Sequence, residues 1–316
     1  MNNSGAATGE RLDWIDVARG AGIVAVVLSH MWTQGAMRDA MYSFHMPLFF
    51  LLSGLLARPR PIADFTVRQL AGQMRPYAAF LALLILVDQV VEPLKGGVPI
   101  FRHWPADLVP ILLGGTWLHG PYTIFWFVPC LMVARIGMNL FMVRWPDLRS
   151  RAWWGIALIL LALGYAVGAA TDVSPLGLLT VPMAMFLLWL GAAVGTKPLR
   201  PLLLLPLVPL SLAGLAGLWP TLNVKAGDYG WPLLSIASAI ATSILLLYLS
   251  RKAAPWAGWL GAIGRASLVI MYLHVALIHY GQPYLGKPVL AALALLIPFA
   301  YYHLLRAVPP LRRLFL

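Results

Sequence analysis

Cysteine is nearly absent: Cys130 is the single one in 316 residues. That excludes a disulfide framework within the chain and any cysteine-based metal cluster, and its place in an apolar run suits inert packing. Charge is scarce as well, at 11% of residues against 60% hydrophobic, and mean hydropathy is +0.79. The length alone would permit one or two domains, but no stretch has the composition of a soluble domain. Residues 1–316 therefore read as one integral membrane domain, all-α and polytopic. Acids are outnumbered by bases, 11 to 23, for a net charge of +12. In a soluble protein this would suggest nucleic acid; in a membrane protein basic loops are the ordinary topological signal, so nucleic acid is not an expected partner. Also missing are a P-loop, a GxSxG elbow, a GxGxxG fingerprint and an HxxxH pair with a nearby acid. Nucleotide hydrolysis and Rossmann chemistry are unsupported, and no metal is expected. The opening MNNSGAATGERLD is short and polar and is followed by a span interrupted by Arg19, so 1–13 reads as a short cytoplasmic segment and not as a cleavable signal.

What is present is a series of apolar runs punctuated by Pro, Gly and charge. Ten candidate helices fall near 17–34, 41–57, 76–92, 122–141, 153–171, 176–195, 201–218, 231–250, 266–283 and 289–305. The stretch 107–118 is too short to cross and reads as interfacial or re-entrant. With the N-terminus inside, the inner segments hold sixteen Lys and Arg residues: 11, 58, 60, 68, 75, 144, 149, 151, 197, 200, 251, 252, 265, 306, 312 and 313. The outer segments hold five, at 38, 95, 102, 225 and 287, while Arg19 and Arg135 lie within spans. The positive-inside rule thus supports ten spans with both termini cytoplasmic. No internal repeat links the two halves, which disfavours a repeat-built transporter.

Intramembrane ionisable groups are expensive, and the first span carries two. Arg19 and His30 are eleven positions apart, about three helical turns, so they share one face at depths roughly 16 Å apart. The plain alternative is that Arg19 snorkels, tied to Asp16, while His30 merely ends the span. In the second span, YSFHMPLFFLLSGLL places His45 near one end, Pro47 two residues on and Ser53-Gly54 towards the other. Pro47 can bend the helix, Gly54 permits close backbone approach, and a kink beside the Arg19–His30 stripe would open a cavity. Ser53 alone is as well explained by bonding back to its own helix. The loop that follows holds Arg58, Arg60, Arg68 and Arg75. Arginine forks suit phosphate and pyrophosphate, although the same residues satisfy the positive-inside rule without a ligand. Asp88 lies at roughly the depth of His30 and would raise an imidazole's basicity if the two met. Trp126 belongs to an aromatic cluster that can line a sugar site or form an interfacial belt. His274, near mid-membrane, needs a hydrogen-bond partner as either a packing or a cavity residue.

IDVARGAGIVAVVLSH, FHMPLFFLLSGLL, an arginine-rich inner loop running into RPY, then FWFVPCL and SLVIMYLH together resemble the acyltransferase-3 family of integral membrane acyltransferases, nearest in flavour to the fucose 4-O-acetylase-like group. The resemblance spans nearly the whole chain. It implies an enzyme of the bacterial inner membrane that moves an acyl group, usually acetyl from acetyl-CoA, to a hydroxyl of a carbohydrate or lipid-linked glycan. In the family the Arg-x10-His pair is essential, which carries over to Arg19 and His30. The family's loop arginines usually stand about three apart; here Gly72 falls where one is expected and Arg75 directly precedes Pro76-Tyr77.

The reading is therefore a membrane O-acyltransferase in which coenzyme A enters from the cytoplasm, its phosphates meeting Arg19 with Arg58, Arg68 and Arg75. His30 then takes the proton of the acceptor hydroxyl as it attacks the thioester. His45, Ser53, Asp88, Trp126 and His274 are the cavity or acceptor candidates. Two alternatives stand beside it: transient acylation of Ser53 or His30, and a transporter or flippase of lipid-linked sugars whose charges line a pathway.

Overall fold

The computed structural model describes residues 13–197 and 199–316. Of the N-terminal segment expected over 1–13, only Asp13 lies among them, and it is already helical. Among the described residues every regular element is a helix, and the β pairing is a single isolated bridge, Asn223 to Asp228. This is an all-α polytopic membrane architecture.

Seven of the expected spans are helices long and apolar enough to cross a membrane. They are Asp13–Met31, Ile62–Leu94, Gly120–Arg144, Arg151–Ala170, Pro175–Val194, Leu234–Ala253 and Lys287–Ala307. An eighth is a broken pair, Gly258–Arg265 and Ser267–Gly281, bent by 75°. The expected spans 41–57 and 201–218 are shorter pieces: the first divides into Ala36–Tyr42 and His45–Leu55, and the second is the apolar Pro201–Leu215. For reference, α1 is Asp13–Met31, α2 Ala36–Tyr42, α3 His45–Leu55, α4 Ile62–Leu94, α5 Leu108–Leu113, α6 Phe127–Arg144, α7 Arg151–Ala170 and α8 Val181–Val194. They continue with α9 Leu207–Leu215, α10 Leu234–Ala253, α11 Gly258–Arg265, α12 Ser267–Gly281, α13 Lys287–Ala307 and α14 Pro309–Phe315.

Two departures from the sequence expectation have clear causes. Pro47 has no N–H to give the carbonyl of Ser43, four residues back, so the helix restarts at His45 with the proline in its first turn, where the donor is not needed. The basic loop read over 58–75 is only partly a loop. From Ile62 onward it is the opening part of the 33-residue α4, because nothing between Ile62 and Pro76 stops a helix strongly enough. The segment near 107–118 contains the short α5, consistent with a piece that does not cross.

Close backbone crossings set the packing. A methyl added at Gly54 would run into the carbonyl oxygen of Leu188, and one at Gly191 into that of Leu51, so α3 and α8 meet backbone to backbone. A second such crossing, between α1 and α11, positions the site.

Candidate functional site

At Gly20 an added methyl would strike the carbonyl oxygen of Leu260, and at Gly264 that of Asp16. Only glycine allows α1 and α11 to lie this close. The crossing brings Arg265, the last residue of α11, within 3.9 Å of the buried Asp16 carboxylate, whose other oxygen is 3.4 Å from Arg19. The expected Asp16–Arg19 tie is present, and Asp16 is shared by a second cation. Its single charge therefore balances at most one of the two guanidiniums.

Eleven residues along the same helix, His30 Nδ1 lies 2.8 Å from Nε2 of His274, with the rings stacked at 5.0 Å. His274 is fully buried, and its Nδ1 lies 2.9 Å and 2.8 Å from the carbonyl oxygens of Ile270 and Met271. A carbonyl only accepts, so His274 Nδ1 bears the hydrogen. With both rings neutral, His274 Nε2 is then an acceptor and His30 Nδ1 donates to it. The lone pair of the pair falls on His30 Nε2. His45 follows the same logic: its Nδ1–H donates to the carbonyl of Met41 at 2.7 Å, leaving Nε2 as the acceptor. Tyr42 stands edge-on to both imidazoles, at 6.2 Å from His30 and 5.0 Å from His45.

These groups line a cavity of about 250 Å³ whose wall includes Arg19, His30, His45, Ser53, Trp126, Arg135 and Lys225. A kink in the second apolar run beside the Arg19–His30 stripe does open a cavity, although it is a full break and not a bend at Pro47. His274 touches the cavity through His30 and does not line it. A second cavity, about 550 Å³, shares Arg19, Arg135, Phe127, Leu131, Ser267 and Leu268 with the first. It extends the opposite way along α1, past Asp16 to Arg265 and Arg306. Arg19 and Arg135 thus stand where the two chambers meet.

Four sequence candidates fall elsewhere. Asp88 is fully buried but holds the Ile100 N–H and the Tyr280 hydroxyl, each at 2.8 Å. It organises the turn after α4, and the imidazole partner expected of it is supplied by His274. Arg75 is exposed on α4 and lines neither chamber. Arg68 is exposed, pairs loosely with Asp64 at 3.9 Å, and with Arg58 lines a smaller cavity of about 130 Å³ that reaches the site only at Arg135 and Ser53. Arg58 and Arg68 are therefore peripheral to the Arg19–His30 stripe, and Arg75 is outside it.

Arg135 itself is the residue that sequence reasoning passed over. It is half-buried in α6, lines all three cavities, and makes no hydrogen bond or ion pair among the described residues. The signal was available: an arginine within a span with no acid within four residues on either side. Lys225, by sequence an outer-loop charge, also lines the cavity. It sits in a short 3₁₀ turn, Val224–Ala226, pinned from below by the Thr180 hydroxyl donating to the Val224 carbonyl at 2.6 Å.

A chain with this topology, an Arg-x10-His stripe and a cavity between them belongs to the acyltransferase-3 family, whose acyltransferase domain matches residues 12–303. The protein is accordingly a membrane acyltransferase. No curated protein and no solved structure matches the chain.

Proposed function

We propose that the protein is an acyl-CoA-dependent O-acyltransferase of the bacterial inner membrane. It transfers an acyl group, acetyl from acetyl-CoA in the first instance, to a hydroxyl of a cell-envelope carbohydrate or lipid-linked glycan. The observation that carries this reading is the hydrogen-bond series from the Ile270 and Met271 carbonyls through His274 to His30, which leaves a lone pair on His30 Nε2 in a cavity continuous with two arginines. On the charge count, the chain crosses ten times with both termini cytoplasmic, and the Arg265–Arg306 chamber faces the cytosol.

Coenzyme A enters that chamber, and its phosphates engage Arg135, which has five unused donors, and Arg19, with Arg265 and Arg306 at the entrance. The thioester reaches past Arg19 towards His30. The acceptor oxygen gives its proton to His30 Nε2 as it bonds to the thioester carbonyl carbon. The carbon–sulfur bond then breaks, and the imidazolium returns the proton to the departing thiolate, so the products are the ester and the free thiol of coenzyme A.

The deciding experiment is thiol release from acetyl-CoA by purified protein in proteoliposomes, with and without envelope glycan extract. Glycan-dependent thiol release, with acetyl mass appearing on the glycan, is the expected result. Translocation of glycan without thiol release would establish the flippase reading instead.

A further inference from the structure

The His30 end of the cavity contains a cation that the proposed transfer step does not use. Lys225 donates to the Leu118 carbonyl at 3.1 Å and to the Thr123 hydroxyl at 2.8 Å, both neutral oxygens. An ammonium has three hydrogens, and one is left over. Of the other four outer cations, Arg38 pairs with Asp39 at 2.8 Å and Lys95 with Glu92 at 3.0 Å, while Arg102 and Lys287 are exposed to solvent. Lys225 has no carboxylate partner among the described residues. Among the described residues, the wall it shares with His30, Tyr42, His45, Asn223 and Thr123 contains no acid. Burial alone pulls its ammonium down to about 8, as expected where no counter-charge restores it. A half-buried cation facing a cavity without an anion costs free energy that a pure staple between two turns does not require, since a neutral amide makes the same two bonds.

We propose that Lys225 is a binding residue for an anionic group on the acceptor, so that the substrate class is an acidic saccharide bearing a carboxylate or phosphate near the hydroxyl that is acylated. The inference rests on the acyltransferase reading for the identity of the acceptor as a hydroxyl compound. The ammonium would hold the acid while His30 Nε2, in the same cavity, meets the neighbouring hydroxyl. Lysine suits this task because a point charge on a flexible stem accepts either acid without demanding a planar fork.

The test is acceptor binding by the full-length protein in nanodiscs, measured by calorimetry without acyl donor. The probes are methyl glucoside, methyl glucuronoside and methyl glucoside 6-phosphate. The two acids should bind at least about tenfold more tightly than the neutral sugar, as one charge-assisted contact predicts, and whichever acid binds better names the group. Lys225→Gln removes the charge and places a neutral amide, one bond shorter than the lysine, beside Leu118 and Thr123; it should bring all three affinities within about threefold, whereas Lys225→Arg should keep the acidic preference. Equal affinities in the unaltered protein would overturn the proposal, and so would a Lys225→Gln protein that still prefers acids. A Lys225→Gln protein with unchanged binding but slower turnover on acidic and neutral acceptors alike would assign the lysine to the chemical step and overturn it too. Because no thioester is present, a failure here is distinct from a failure of the thiol-release assay.

Discussion

On the proposed mechanism, His30 takes its role from one hydrogen bond, where residue type alone leaves the choice open. An imidazole in a span is equally a packing residue or a base, and the choice turns on which nitrogen is free. The bond to His274 frees Nε2. His30→Ala should reduce transfer by about 10²–10⁴-fold, the usual loss for a general base, while folded protein remains in the membrane by size-exclusion chromatography. On the same proposal His274 acts through His30, as a positioning residue. His274→Leu should cost about 10–100-fold, the scale of a buried hydrogen bond to a group that becomes charged, whereas His274→Gln, whose side-chain oxygen still accepts from His30, should recover much of the loss. Equal damage from Leu and Gln would reduce His274 to a packing role. The arginines divide on the same grounds. Arg135→Ala should raise the apparent KM for acyl-CoA more than that for the acceptor, and Arg75→Ala, exposed and outside both chambers, should change neither. Kinetic constants with the reverse order would return the donor to the basic stretch.

At the scale of elements, glycines decide where helices touch. Gly264→Val should fail to fold or lose thermal stability in detergent, by about 1–3 kcal/mol if it folds, because its side chain collides with the Asp16 backbone and not with a movable side chain. Gly72→Ala, which meets only open space on the exposed side of α4, should leave the melting temperature unchanged or raise it slightly. Much of this level was legible in advance. Every apolar run expected to be a helix contains one, and Gly54 was marked for the close approach it makes to Leu188. What hydropathy could not reveal was continuity. A polar helical turn and a polar loop look alike when only apolar length is measured, so the start of α4 read as loop. The break at Ser43–Phe44 read as span, because both sides of it are apolar. The site was legible where a single helix carries it, as with Arg19 and His30. It was not legible where helices distant in the chain meet, since His30 and His274 are 244 positions apart and the oxygens of Asp88 are taken up by Ile100 and Tyr280.

For the whole molecule, the two chambers run from Arg19 in opposite directions, one towards Arg265 and Arg306, the other towards His30 and Lys225. On the charge-derived orientation, acyl-CoA added to sealed vesicles of known sidedness should support transfer only from the cytoplasmic face. Equal labelling from the other face would invert the topology. If donor and acceptor enter by the two chambers as proposed, the shared wall at Arg19 and Arg135 also governs the order of events. Two ligands that arrive by separate routes and meet at one imidazole have no need to take turns, and neither has to leave before the other binds. Initial rates measured against both substrates should therefore give intersecting double-reciprocal lines, the pattern of a ternary complex. Labelled coenzyme A should not exchange into acetyl-CoA when acceptor is withheld; parallel lines with rapid exchange would mean that the acyl group pauses on the protein.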